Sequence, residues 1–261
     1  MGKKITQLAT ITEVADDDLL VGVDISDTSG SDDGTNKKFT KASLLSGLAP
    51  LDPQLTGWNP IVSVCLYASP NSVYIEGDWS EILQKGDKFL FTNNSIEKKF
   101  YIIGVSAYDS GNDRTTITIT AGDVYTVENS AITSIYYSRS ERPLGFPQWF
   151  TYTPSLTGFS SDPTVIAKFC LVGTTCFINF VCVTNGTSNA NTFTISLPII
   201  AKTESNYGWR GWALAVDNGI ARNGNTHIAS GSSVISLYDE PLSAWTTSGN
   251  KSANAQMFYE I

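Results

Sequence analysis

The sequence predicts an all-β protein in three sections: an extended N-terminal docking segment with a linker (residues 1–60), a small β-barrel-like module (61–141), and a C-terminal β-sandwich tip of jelly-roll type (142–261). Three observations predict it. Apolar and polar residues alternate with period two in several short runs, the signature of half-buried strands. Those runs are rich in β-branched and aromatic residues. Turn-forming Gly, Asn and Asp punctuate them throughout.

The first section holds few apolar residues. Asp16-Asp17-Asp18 leads into Leu19-Leu20-Val21-Gly22-Val23, read as a short strand. Ser26 to Asn36 is a polar, turn-rich run with Gly30 and Gly34. Lys37-Lys38-Phe39-Thr40 reads as a second strand, and Ser43 to Leu48, with Leu44 and Leu45, as one helical turn. Pro50, Pro53 and Pro60 mark the linker. So little apolar surface is not expected to fold alone. The ordered pattern points to docking on another protein, through Leu19, Leu20, Lys37, Lys38, Phe39, Leu44 and Leu45.

The second section offers six short strands. They lie at Val62–Tyr67, Val73–Ile75, Phe89–Phe91, Lys99–Val105, Arg114–Thr120 and Ile132–Tyr137. In Arg114–Thr120, Ile117 and Ile119 fall on one face and the threonines are expected on the other. Short strands in this number suggest a barrel or small sandwich.

The third section carries longer strands. Lys168–Val172 and Thr175–Phe180 flank Gly173-Thr174, a hairpin turn. Asn185-Gly186 gives the strongest hairpin signal, and Asp217-Asn218-Gly219 a further tight turn. Phe193, Ile195 and Leu197 alternate with polar residues. Ser233–Tyr238 reads as a strand. Gln256–Ile261 runs as a strand to the last residue, so it should be tied into a sheet.

Composition narrows the function. Charged residues are 16% of the chain, while 29 Ser, 28 Thr and 17 Asn supply polarity. The net charge of −8 argues against nucleic acid as a partner, because phosphate binding needs a positive footprint. Residues 1–60 carry five Lys and nine acids; residues 142–261 carry six basic and six acidic residues. A long, nearly uncharged section suits a domain that buries surface against copies of itself. No apolar run reaches the ~18 residues of a membrane helix, so membrane insertion is not expected. Met1-Gly2-Lys3-Lys4 followed by polar Thr6 and Gln7 does not read as a secretory signal.

A resemblance enters here. Ile5-Thr6-Gln7-Leu8, the Asp16-to-Leu20 run, Gly34–Thr40 and Ser43-Leu44-Leu45 resemble the N-terminal virion-attachment segments of tailed-bacteriophage fibre and appendage proteins. Val73–Asp78, Leu83–Lys88 and Thr115–Thr120 resemble a small β module of phage structural proteins. Ala167-Lys168-Phe169, Asn185–Ser188 and Phe193–Pro198 resemble phage fibre tip domains. The resemblance covers most of the chain. It implies a homotrimer located in the virion, assembled in the host cytoplasm and attached through its N-terminus to other virion proteins. Attachment to tail or to capsid is left open. The tip would bind a host-surface glycan or protein. A capsid or neck decoration fibre without a specific receptor, and a polysaccharide depolymerase, are the alternatives.

Catalytic chemistry finds little support in the residues. His227, the one histidine, lies in what reads as a polar loop, and no G-x-S-x-G elbow surrounds a serine. The tip acids Asp162, Glu204, Asp217, Asp239, Glu240 and Glu260 could supply the paired carboxyls of a glycosidase. Asp162, Asp217 and the Asp239-Glu240-Pro241 run are explained as turn formers. No catalytic residues are therefore assigned. Four cysteines without C-x-x-C spacing and a single histidine do not make a structural zinc site, so no metal or cofactor is expected. Free thiols are expected, with a Cys170–Cys176 bridge across the hairpin as the alternative.

Aromatic residues are the better clue to binding. Trp209, Tyr238 and Trp245 are candidate receptor contacts, because flat rings with a polar edge suit sugar faces and protein surfaces. Trp212 opens an apolar run and is expected in the core. Cys176 to Val183 is apolar on both faces. Phe177 and Val181 on one side, with Ile178 and Phe180 on the other, are the expected trimer interface.

Overall fold

The computed structural model describes the backbone of residues 19–24 and 35–40, and all of residues 56–238 and 244–261. The chain divides into two compact units, Met1–Leu55 and Thr56–Ile261.

In the first unit, β1 (Leu19–Asp24) and β2 (Thr35–Thr40) pair antiparallel. Their register sets Leu19 opposite Thr40, Leu20 opposite Phe39, Val21 opposite Lys38 and Gly22 opposite Lys37. Both strands stand where the sequence puts them. Leu44 and Leu45 lie outside the described residues.

The second unit is all-β, and every named element in it is a strand. Its first sheet comprises β3 (Asn59–Pro60), β4 (Cys65–Ser69), β5 (Ser72–Glu76), β6 (Lys88–Asn93), β7 (Ile96–Val105), β8 (Arg114–Thr120) and β9 (Ile132–Ser138). The order is β3-β9-β6-β7-β8-β5-β4, and the sheet curls so that β4 comes close to β9. Pro60, read from sequence as linker, is the end of edge strand β3, where a missing N–H costs no ladder bond. β8 matches its expected span, but Thr115 shares the inward face with Ile117 and Ile119 and is fully buried. Its Oγ1 donates to the Gly77 carbonyl and accepts from the Trp79 N–H, which satisfies the hydroxyl inside.

The second sheet begins with β10 (Phe150–Tyr152), β11 (Leu156–Thr157), β12 (Phe159–Ser161), β13 (Val165–Val172) and β14 (Thr175–Cys182). It continues with β15 (Gly186–Ser188), β16 (Phe193–Ser196), β17 (Gly208–Asp217), β18 (Ile220–Ala229), β19 (Val234–Tyr238) and β20 (Asn250–Glu260). The hydrogen-bonded path runs β10-β13-β14-β20-β17-β18-β19-β16-β11, with β15 also on β20 and β12 on β15. The C-terminal strand is therefore central, paired with β14, β15 and β17. Inward side chains from both ends of the path, such as Phe180 and Phe193, belong to one buried cluster. That layering is what a sandwich requires.

The two sheets share this core. Tyr101 of β7 meets Phe150 and Phe169 of the second sheet, with ring centroids 5.4 and 6.2 Å apart. Phe146, in the connection, lies 5.0 Å from Tyr101. Aromatic contacts of this kind add to area burial. Residues 56–261 thus pack as one unit across the expected boundary at 141/142.

The two Asn-Gly pairs part company. Asn218 and Gly219 have φ of 48° and 82° and close the two-residue hairpin between β17 and β18. This is the backbone that a primed turn demands. Asn185-Gly186 makes no hairpin: β14 and β15 both run antiparallel to β20, so they point the same way. Neither residue has positive φ. Gly186 is instead a close-approach glycine, because a Cβ there would lie 2.5 Å from the Phe159 ring and 2.6 Å from Pro163.

Candidate functional site

Strand parity divides every residue of the second sheet into inward and outward. In β14, Cys176, Ile178, Phe180 and Cys182 point into the core, while Phe177, Asn179 and Val181 point out. Ile178 and Phe180 are fully buried by the chain itself, at 1% and 0% exposure. They are core residues, so their expected place in a contact between subunits is corrected. Phe177 and Val181 remain on the open side.

The register extends that open side across four strands. Phe177 lies opposite Phe258 of β20 and Cys170 of β13; Val181 lies opposite Asn254 and Ile166; Leu214 of β17 lies opposite Asn254 on its other side. Phe258 is 59% exposed and Trp212 75%. Ile166, Val172 and Leu214 are exposed as well. The result is a broad, largely apolar face whose back is already packed; it also carries the exposed Lys168 of β13, opposite Asn179. The Phe177 and Phe258 rings stand 5.8 Å apart.

Trp212 overturns its expected burial. The reason lies in what β17 packs against. Its inward positions are Trp209, Gly211, Ala213 and Ala215, and a Cβ on Gly224 would come within 2.9 Å of the Ala215 Cβ. Small residues fill the tight side at this end of the strand. The large Trp212 and Leu214 take the other.

Two shallow depressions lie on the apolar face. One, of about 310 Å³, is lined by Trp149, Phe177, Asn179, Gln256 and Phe258 among others. The other, of about 410 Å³, is lined by Asn179, Val181, Trp212, Asn254 and Gln256 among others. They share Asn179 and Gln256, which lie directly opposite one another across β14 and β20.

The outer surface of the remaining strands is polar. Beyond Trp212, the register brings out Asn225 and His227 of β18, Ser236 and Tyr238 of β19, and Thr194 of β16. His227 is thus in a strand, not a loop. Partial burial, then the Arg210 guanidinium opposite, hold its imidazole below the usual range.

Of the three expected receptor contacts, two are corrected. Trp245 is 2% exposed; its indole N–H donates to the Leu237 carbonyl at 2.8 Å and its ring meets Phe193. Trp209 is 6% exposed and packs between Tyr207 and Tyr259. Tyr238 alone stays half-buried, at a recess of about 230 Å³ lined by Asn191, Thr192, Thr194 and Ser236 among others.

The acids fall into structural roles. Asp217 is buried and accepts from the N–H and hydroxyl of Thr246. Glu204 and Glu260 both pair with Lys202. Asp239 and Glu240 lie outside the described residues. No group of three or more His, Cys, Asp or Glu suited to a metal ion occurs among the described residues.

The cysteines settle by register. Leu171, not Cys170, lies opposite Cys176, and Cys170 lies opposite Phe177. The two thiols are on opposite faces of the sheet, so the bridge across the hairpin is excluded. Burial pushes the Cys65 and Cys176 thiols up to about 12.

Lys251 gave no signal in the sequence. It is fully buried, and its Nζ donates to the carbonyls of Ala190, Thr192 and Gly158 at 2.7, 3.2 and 3.3 Å. The Phe159 and Trp245 rings each lie 5.6 Å away. This is a clamp that ties two loops to the central strand. The outer residues Trp212, Phe258, Asn179 and Gln256 were missed because strands apolar on both faces hide their parity until the pairing is known.

No protein-family model, no curated protein and no solved structure matches the chain.

Proposed function

We propose that this chain is a structural protein of a tailed-phage virion: a non-enzymatic fibre whose N-terminal unit, Met1–Leu55, docks on another virion protein and whose C-terminal part assembles as a homotrimer. The observation that carries the reading is the apolar outer face of β13, β14, β20 and β17. Exposed contiguous apolar surface of this kind marks an association site. Phe177 and Val181, expected at the trimer contact, lie on it. Copies arranged around an axis would cover it without leaving an open end.

The polar half of the same sheet would then stay outward, with Tyr238 and its recess available to a host-surface glycan or protein. The engagement of Asp217, Glu204 and Glu260 in turns and ion pairs favours binding over hydrolysis. Nucleic acid and membrane have no part in this reading.

Phe258→Asp tests it. The side chain leaves the core untouched, so the subunit should fold, but a charge would enter a dry contact. Sedimentation velocity should give the wild type as a multiple of the 28.2 kDa chain and the variant as a single chain with an unchanged β-type circular dichroism spectrum. A variant that keeps the wild-type mass would contradict the assignment of this face.

A further inference from the structure

An amine, a carboxamide and a carboxylate meet at the closed end of the hairpin of β6 and β7. Asn93 ends β6, and Lys98 stands on the same face of β7, one diagonal step away across the Asn94-Ser95 turn. Asn93 is fully buried and Lys98 is 4% exposed. The Lys98 Nζ donates to Asn93 Oδ1 at 3.3 Å, to Glu128 Oε1 at 3.1 Å and to the Thr126 carbonyl at 2.7 Å. Glu128 lies between β8 and β9, and its backbone N–H donates to the same Asn93 Oδ1 at 2.9 Å. The Asn93 Nδ2 donates to Ser130 Oγ at 2.9 Å and to the Glu128 carbonyl at 3.2 Å.

Each group fits one part of an acyl transfer. A neutral amine is a nucleophile, and a carboxylate in contact with it is the base that frees its electron pair. The Asn93 Cγ is the acyl centre. Two donors already sit on its oxygen, where negative charge develops on attack. Holding amine and acyl group in one buried site makes the step intramolecular, with effective concentrations on the order of 10⁵ M or more for well-aligned groups. The resting pair is ionic, and the hydrogen bond from Lys98 holds the Glu128 carboxyl below the usual carboxylate range. One passage through the neutral pair per chain is enough, and ammonia that diffuses away does not return. The product also takes a charge out of the interior, where an ammonium is costly to keep.

We propose that Lys98 and Asn93 become joined by an isopeptide bond, with Glu128 as the base. A proton moves from Nζ to the Glu128 carboxylate. The freed amine attacks Asn93 Cγ; the Nζ–Cγ bond forms and the Cγ–Nδ2 bond breaks. Nδ2 leaves as ammonium, carrying two hydrogens of the former Lys98 ammonium, one of them returned by Glu128. The third hydrogen stays on the new amide, and Glu128 ends as a carboxylate. The balance needs no other reactant.

Mass spectrometry of the purified full chain, denatured and digested with trypsin, tests it. An acylated Lys98 is no longer a cleavage site. The expected product is the peptide 89–99, lighter than its sequence by one molecule of ammonia, in which backbone breaks between Asn93 and Lys98 release no separate fragments. Lys98→Arg should abolish the ammonia loss. Glu128→Gln cannot take the proton, and bond formation in freshly synthesised protein should slow on the order of 100-fold. The bond is overturned by a peptide 89–98 of full sequence mass. It is overturned equally by an ammonia loss that leaves cleavage after Lys98 intact, as a succinimide at an asparagine would, or that persists in Lys98→Arg. A Glu128→Gln chain that reacts as fast as the wild type overturns the role of Glu128. The wild-type digest decides the bond without requiring any variant to fold.

Discussion

At the scale of single residues, partner groups decide what each side chain does. Cys65 and Cys176 illustrate it. Their thiols ionise near 9 when solvated but stay protonated to about 12 in the fold, because burial penalises the thiolate. The stability this contributes is whole below pH 9 and falls as pH rises toward 12, by roughly 1.4 kcal/mol per pH unit for each thiol. Denaturant titrations between pH 8 and pH 11 should show the decline, and a flat profile would argue that these thiols are solvated. A thiol count in denaturant without reductant should give four per chain. Two would mean that Cys170 and Cys176 do not occupy opposite faces. Phe177 and Ile178, adjacent in sequence, differ as sharply. Ile178→Ala should cost about 2–5 kcal/mol in unfolding free energy, whereas Phe177→Ala should leave the subunit's fold intact and weaken association. Similar unfolding penalties for both would contradict the parity of β14.

At the scale of elements, strands with one buried face were legible and strands with two apolar faces were not. The span of β8 could be read from its alternation, though not the inward Thr115, and β1 and β2 fall near their expected positions. β14, β17 and β20 could be located but not oriented. Only their pairing tells which of Trp212 and Ala213, or Phe258 and Tyr259, faces out. That is why Trp209 reads as a surface candidate and Trp212 as core; Trp245 lies in no strand and is buried by the connection that carries it. The Asn-Gly pairs teach the same lesson about turns. The dipeptide permits a primed turn, and the strands on either side decide whether one forms. Gly219→Ala, at φ 82°, should destabilise by about 1 kcal/mol through backbone strain. Asn185→Ala should change stability by no more than about 0.5 kcal/mol, since that residue supplies no positive φ. Thermal melts of both variants are the check; an equal loss at Asn185 would restore a turn there.

At the scale of the whole molecule, the chain divides into two compact units. Deleting residues 1–50 removes the unit that holds β1 and β2 and none of the strands of Thr56–Ile261. The truncated protein should remain folded and self-associated yet be missing from purified virions, as judged by mass spectrometry of the particles. Its presence in them would place attachment elsewhere. We propose that the outer face of β13, β14, β20 and β17 is covered by copies of the same chain. Multi-angle light scattering of the intact wild-type protein tests this most directly. The expected mass is three times the 28.2 kDa of one chain, constant on dilution through the micromolar range. A mass of one chain, in a protein that stays soluble at high concentration, would contradict it.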